Sequence, residues 1–402
     1  MKIAFVSSFY VKHMEQIYDK FKDLHKKSFN EQNKIIRDQT ICSMGEWPKY
    51  FQKIDVESLM LCLNNPYLQN KWCIENDFIP KSGDVEFEIV LEQLRRFEPT
   101  HIFIFGINYY SRENRLLRIT DKCPSIRKKI CWYGAPEGDI SKLKDYDLVL
   151  TPSRELKDSL TKVGINSSVL NHAFEPRALD LIKSSNKNKN LCFIGSLSLG
   201  NDWHQERIEY LESISQHIKI DIYTDLTRPS LYQKLKRYLI YHRHKMSKFF
   251  NNYDVSIEKI RYYANKDNLP IYDRLNDSCI SGMTKPAVYG LEMLNTLSSY
   301  KITFNKHIPL ANNIAGNMRI TESSGVGTCL LSDHKKNNKD YFGEFVKYCS
   351  YKSADEFINK YEYLINNNNL ICEISKYIKQ ITLSKHNTEN QFDRLYNTIC
   401  NL

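Results

Sequence analysis

Short apolar runs and amphipathic stretches alternate along the whole chain. The apolar runs have the length of buried β-strands and lie at 2–7, 101–105, 129–133, 147–150, 191–194, 218–223, 328–331 and 346–349. Between them, apolar positions recur at helical spacing, as in the stretch that begins after Asp84, the expected N-cap, and ends at Pro99. Strands that alternate with helices in this way predict parallel, doubly wound sheets that are buried on both faces.

Composition limits the class of protein. With 402 residues the chain is long enough for two to three domains. It contains no run of eighteen apolar residues, and its first ten residues read as a strand, so we expect neither a membrane span nor a signal peptide. The eleven cysteines show no C-x-x-C pairing, which favours reduced thiols in the cytoplasm over disulfides or a zinc site.

The chain is moderately basic, with a formal net charge of +10. Such a charge suits anionic ligands in general, namely nucleoside diphosphates, anionic lipid headgroups or nucleic acid, and selects none of them. The loop after the first strand lacks G-x-G-x-x-G, which counts against a nicotinamide dehydrogenase.

The stretch 317–333 contains several residues that can bind a ligand. Arg319 and Glu322 are three residues apart, so they share one face of a helix, and Gly325 and Gly327 follow where that helix should end. A carboxylate such as Glu322 can accept hydrogen bonds from both ribose hydroxyls, and a helix N-terminus can bind a diphosphate. The alternative is an ordinary helix that carries a partly exposed ion pair, and these residues alone leave both interpretations open.

The same stretch resembles the signature of the CgeB-like glycosyltransferases, a group with the GT-B fold. Its pattern, N-M-R-x-x-E-x-x-G-x-G-x-x-L-L-x-D, is matched from Asn317 to Asp333. Upstream, 289–293 is similar to the family's Y-G-x-x-M element and 301–307 to its K-I-x-x-N-x-H element. Three motifs in the family's order make this a specific resemblance.

The resemblance implies two Rossmann-like domains that face a cleft. We expect an acceptor domain at 1–182, a linker at 183–190, a nucleotide-sugar domain at 191–380, and a helix at 381–402 that crosses back to the first domain. Residues 225–283 depart from the family pattern and are expected to form a basic helical insertion within the second domain.

The resemblance also implies the site residues. Donor binding is assigned to one set of residues in the second domain: Gly195, Ser196, His204, Arg207, Lys285, Tyr289, Asn305, Arg319, Glu322, Gly325 and Gly327. The candidates for a catalytic base or an acceptor contact are His13, Glu137 and Asp139. No D-x-D motif stands out, so we expect no metal and no cofactor, only a nucleotide-diphosphate sugar as donor substrate.

The predicted function is transfer of a sugar to a glycan, lipid-linked or other acceptor. The rival hypotheses are a GT-B nucleotide-sugar epimerase or hydrolase, and a non-catalytic nucleotide- or membrane-binding protein. The basic, aromatic stretch 234–248 suits an anionic membrane surface, although a solvated helix face explains it as well; nucleic acid is not expected as a partner. We therefore expect a cytoplasmic protein that this stretch can attach to the inner face of the membrane.

Overall fold

The chain forms two α/β halves, each built on one six-stranded sheet. The structure is a computed structural model of the full chain. It describes residues 1–41, 43–81, 84–105, 115–134, 140–183, 187–197, 202–224, 231–232, 235, 238–239, 242, 279–309 and 313–402.

The first half contains strands β1–β6, all paired in parallel in the order β2-β1-β3-β4-β5-β6. Its strands are β1 (Lys2–Ser7), β2 (Glu57–Cys62), β3 (His101–Phe105), β4 (Lys128–Trp132), β5 (Leu148–Thr151) and β6 (Ser167–Val169). Its helices in the described ranges are α1 (Val11–Lys20), α2 (Phe29–Thr40), α3 (Ser43–Lys53), α4 (Pro66–Glu75), α5 (Val85–Phe97), α6 (Arg115–Lys122), α7 (Arg154–Lys162) and α8 (Ala178–Leu181).

The second half repeats the plan, with parallel strands in the order β12-β11-β10-β7-β8-β9. The strands are β7 (Lys189–Ile194), β8 (Asp221–Thr224), β9 (Thr284–Pro286), β10 (Tyr300–Asn305), β11 (Cys329–Asp333) and β12 (Ser350–Tyr351). The numbered helices are α9 (Asp202–Ser215), α10 (Gly290–Ser298), α11 (Met318–Gly325), α12 (Asn338–Phe342), α13 (Val346–Cys349), α14 (Ala354–Ile365), α15 (Asn368–Lys385) and α16 (Thr388–Cys400).

The prediction of two doubly wound parallel sheets is confirmed, but three local predictions are wrong. Residues 346–349 form helix α13 and not a strand, because an apolar run this short fits either element and packing decides. Asp84 does not cap α5 through its side chain, since its carboxylate pairs with Arg115 at 2.7 Å. Strand β7 begins at Lys189, inside the stretch expected to be a linker.

The chain passes between the halves twice, and the two passages lie side by side. On the outward passage, the Phe174 amide donates to the His386 carbonyl at 2.9 Å. On the return, the Thr388 amide donates to the Phe174 carbonyl at 3.0 Å. Helix α16 then packs on the first half, where Phe392 and Leu395 join the same hydrophobic cluster as Phe51.

The two glycines of the signature stretch have structural roles at the end of α11. Gly325 is buried at the end of α11, and a methyl group at this position would overlap the ring of Phe174. Gly327 has φ +80°, a left-handed conformation that glycine adopts without the strain of a side chain, and it turns the chain into β11. Both glycines therefore lie at the opposite end of α11 from Arg319.

We predict that Gly325→Ala destabilises the fold. The added methyl forces the Phe174 ring away from the passage between the halves, and overpacking of this kind costs about 1–3 kcal/mol of unfolding free energy. Denaturant unfolding measures the loss. Gly282→Ala is the matched control, because no atom lies within 4 Å of its added methyl. Equal unfolding free energies for the two variants would contradict the close packing.

Candidate functional site

The topology of the second sheet fixes where a ligand crevice lies. After β7 the chain adds β8 and β9 on one side, then returns to add β10, β11 and β12 on the other. The strand order therefore reverses between β7 and β10, and ligands of open α/β sheets bind at the carboxyl ends of such strands. Gly195 and Ser196 follow β7 at this point, and Lys306 and His307 follow β10.

Two asparagines tie the N-terminus of α11 to this crevice. Asn317, the residue before the helix, donates from Nδ2 to Oδ1 of Asn305 at 2.7 Å. Asn305 in turn donates to Ser332 Oγ at 2.8 Å, and its carbonyl accepts a hydrogen bond from the Tyr351 hydroxyl at 2.6 Å. The Asn317 side chain makes no cap hydrogen bond, so the first turn of α11 keeps its positive end for an anion.

Arg319 and Glu322 form the ion pair that their spacing predicts. Arg319 Nη1 lies 2.9 Å from Glu322 Oε2, and about one seventh of each side chain is exposed. The same Nη1 donates to the sulfur of Met293 at 2.9 Å, while the buried Arg319 Nε has no hydrogen-bond partner among the described residues. Burial raises the pKa of Glu322, and the Arg319 charge acts against that rise.

Arg207 holds the two sides of the crevice together. Its Nε and Nη2 donate to the Lys306 carbonyl at 3.1 and 2.8 Å, and its Nη1 donates to the Ser196 carbonyl at 3.0 Å. His204 lies beside it, with Nδ1 3.4 Å from Nη1. Burial lowers the pKa of Arg207 to about 10. The structure therefore gives this guanidinium backbone partners, where the sequence suggested a phosphate.

Other predicted donor residues lie apart from the Arg319–Glu322 pair or have partners of their own. Gly195 is in the crevice, where its amide donates to the Tyr223 carbonyl at 3.1 Å. Lys285 pairs with Asp221 at 2.7 Å, at the amino-terminal start of β8. Gly325 and Gly327 are at the far end of α11, as described above.

His13 and Tyr289 meet across the two halves. Their rings are stacked, with centroids 5.3 Å apart, and Gln16 donates to the Ala287 carbonyl at 3.0 Å nearby. Burial lowers the pKa of His13 to about 4, so its ring is neutral at neutral pH. The other two candidates for the base, Glu137 and Asp139, lie outside the described residues.

A buried pair at the same edge of the sheet was not among the predicted site residues. His307 Nδ1 lies 2.6 Å from Oδ1 of Asp333, the last residue of β11, and the His307 amide donates to the same oxygen at 3.0 Å. Burial acts to raise the pKa of Asp333, but the His307 hydrogen bonds and the Lys335 charge outweigh it and hold the pKa well below its usual range. Both residues stand at the ends of apolar strands, which is the signal that could have identified them.

Within the described residues, no group of three or more His, Cys, Asp and Glu side chains is arranged to bind a metal ion.

Comparison with known proteins identifies the fold. The sequence profile of a family described as glycosyl transferase-like matches residues 273–397. HepE from Anabaena, solved in complex with UDP-glucose, superimposes with a TM-score of 0.54 at 10% sequence identity, and all of both chains is covered. Sucrose-phosphate synthase from Thermosynechococcus elongatus gives a TM-score of 0.54 at 9% identity, with 99% of each chain covered. The chain has the GT-B fold.

A glycosyltransferase from Rickettsia africae is similar to the same extent, with a TM-score of 0.53 at 10% identity over 99% of this chain and 97% of that one. No curated protein sequence matches the chain. The two halves described above are thus the two lobes of a GT-B chain. The profile match covers β10, α11 and β11, which build one side of the crevice.

We predict that Arg207→Lys lowers stability more than it lowers ligand affinity. A lysine is a single point donor and cannot span the Lys306 and Ser196 carbonyls, so at least two hydrogen bonds are lost, at about 1 kcal/mol each. Thermal melting and nucleotide titration on the same preparation measure both effects. Loss of affinity at an unchanged melting temperature would instead support the phosphate contact that the sequence suggested.

Proposed function

We propose that this GT-B chain is a glycosyltransferase that moves a sugar from a nucleoside diphosphate to an acceptor hydroxyl. The observation that carries the proposal is the arrangement at the switch point. There the Asn305–Asn317 bridge holds the N-terminus of α11 beside the strand ends, and α11 itself presents Arg319 and Glu322. The profile match over this region supports the same function.

Each part of this arrangement has a role toward such a donor. The positive end of α11 binds the diphosphate, and Glu322 accepts hydrogen bonds from the ribose hydroxyls. Negative charge builds up on the leaving diphosphate as the glycosidic bond breaks, and Arg319 stabilises it. A guanidinium suits this role because its planar fork can bind two oxygens at once. We propose that these groups serve in place of a metal ion.

The base that activates the acceptor belongs to the first half in this proposal. We favour Glu137 or Asp139, which follow β4 in the sequence, over His13, because the His13 ring is buried against Tyr289. The acceptor is a glycan or a lipid-linked saccharide. The UDP-glucose bound by HepE makes UDP-sugars the first donors to test.

Assays with and without acceptor test the proposal directly. A thermal-shift screen of UDP, GDP, dTDP and CMP first identifies the nucleotide, because a ligand that binds the native state raises its stability. The matching nucleotide sugar is then incubated alone and with glycan or lipid-linked acceptors. A transferase releases nucleotide quickly only with acceptor. Rapid turnover without acceptor would favour an epimerase or hydrolase, and no binding in the screen would contradict the proposal.

We predict that Glu322→Gln weakens binding of the nucleoside diphosphate by roughly 10-fold, since hydrogen bonds to a charged group are worth more than those to a neutral amide. Calorimetry measures the affinity. Glu356→Gln is the matched control, because Glu356 pairs with Lys360 on helix α14, away from the crevice. An unchanged affinity for Glu322→Gln would rule out the ribose contact.

A second proposal concerns the basic insertion, for which we infer contact with an anionic lipid surface. The described residues of this segment support it, because Leu231, Tyr232, Leu235 and Leu239 are helical and 59–87% exposed. Basic residues, among them Lys234, Lys236 and Arg237, alternate with them in the sequence. The contact proposed is peripheral. No helix in the described part of the chain is long and apolar enough to cross a membrane.

Changing Lys234, Lys236, Arg237 and Lys245 to Gln should abolish binding to anionic vesicles, because each basic residue near such a surface contributes about 1 kcal/mol. Co-sedimentation at low salt measures the binding. The charge-matched control changes the exposed Lys26, Lys53, Lys376 and Lys385 to Gln and should bind as the unmodified protein does. If the unmodified protein does not bind these vesicles at low salt, the membrane contact is ruled out and the segment is a solvated helix face.

A further inference from the structure

In the buried pair of His307 and Asp333, only one of the two ring nitrogens of His307 contacts the carboxylate. Oδ1 of Asp333 lies 2.6 Å from His307 Nδ1, and it also accepts a hydrogen bond from the His307 amide at 3.0 Å. The side chain of His307 is 1% exposed. Its Nε2 is buried and has no hydrogen-bond partner anywhere in the described ranges. A buried polar atom without a partner costs free energy, so its presence calls for a ligand or a function.

The position of the pair points to a ligand. His307 follows β10 by two residues, and β10 is one of the two strands at the switch point. Asn305, at the end of the same strand, holds the N-terminus of α11 through Asn317. The ring therefore belongs to the same strand end that positions the binding site for the diphosphate.

The charges around the pair favour an anion. The ammonium groups of Lys306 and Lys335 lie 3.8 and 3.5 Å from Asp333 Oδ2. Lys306 also pairs with Glu206 at 2.7 Å, and the Arg207 guanidinium binds the Lys306 carbonyl. The cluster thus holds three cationic side chains against two carboxylates before any charge on the imidazole is counted.

Asp333 fixes how the imidazole meets a ligand. Because its carboxylate accepts the proton on Nδ1, the ring cannot turn without losing that hydrogen bond, and Nε2 is the nitrogen left for a ligand. In an imidazole that carries a proton on both nitrogens, Nε2–H is a charged donor. A charged donor of this kind matches a phosphate oxygen.

We propose that His307 binds the diphosphate of the sugar donor through Nε2, and that Asp333 is the positioning residue that orients it. The inference rests on the proposed function and adds a contact to it. In this arrangement His307 acts on the leaving group from the loop after β10, while Arg319 acts from α11.

Two substitutions of His307 distinguish the contributions of its two ring nitrogens. In His307→Asn the amide nitrogen occupies nearly the place of Nδ1, so the contact with Asp333 is kept and Nε2 is lost. In His307→Gln the amide nitrogen reaches nearly the place of Nε2. We expect His307→Asn to weaken binding of the nucleoside diphosphate found in the screen by roughly 10- to 100-fold, the loss of one charged hydrogen bond. We expect His307→Gln to bind more tightly than His307→Asn.

The parent nucleoside provides the internal reference, because it lacks the diphosphate. Calorimetry should show the same nucleoside affinity for His307→Asn as for the unmodified protein. His334→Asn is the matched control, since its ring faces the Ser350 hydroxyl at 3.3 Å, and it should leave both affinities unchanged. Melting temperatures of all variants show whether the fold is kept.

The outcomes are distinct. If His307→Asn folds and binds the diphosphate as the unmodified protein does, the inference is overturned while the proposed function stands. Equal losses for the diphosphate and the nucleoside would also overturn it, because they indicate a general disturbance of the site. If the unmodified protein binds no nucleoside diphosphate, the proposed function itself fails, and the inference fails with it.

The positioning role of Asp333 has its own test. In Asp333→Asn the side-chain oxygen still accepts from Nδ1, so we expect most of the diphosphate affinity to be kept. Asp333→Ala removes the acceptor and should lose as much affinity as His307→Asn. Equal affinities for the two Asp333 variants, in protein that remains folded, would overturn the positioning role.

Discussion

One half-buried guanidinium, that of Arg207, joins the two sides of the crevice. The parallel pairing of β7 with β10 extends to Phe193 and Phe304, and beyond it the chain departs in opposite directions into the two loops that line the crevice. Arg207 connects these loops by donating to the Ser196 carbonyl on one side and twice to the Lys306 carbonyl on the other. The positions of Asn305, His307 and the start of α11 follow from this spacing.

The features that the sequence predicts well depend on local spacing. The alternating apolar runs predict both parallel sheets. The spacing of Arg319 and Glu322 predicts a shared helix face, and in the structure the two side chains form an ion pair at 2.9 Å.

The features it predicts poorly depend on partners that are distant in the chain. Gly325 matches a donor-binding pattern, but its role is to allow close packing against Phe174, a residue that is distant in the sequence. Lys285 forms an ion pair with Asp221 because β8 and β9 are neighbouring strands. His307 and Asp333 end two separate sequence motifs, and they become a pair only because β10 and β11 are neighbouring strands.

The double passage between the lobes has a consequence for biosynthesis. The aromatic and aliphatic side chains of α16 complete one face of the first sheet, although α16 is translated after the strands of both sheets. While the rest of the chain is being translated, that face lacks Phe392, Leu395 and Ile399 and exposes apolar surface to water. The N-terminal lobe therefore cannot finish folding ahead of the C-terminal one. A nascent chain of this architecture therefore exposes aggregation-prone apolar surface for longer than one whose first domain is complete in itself.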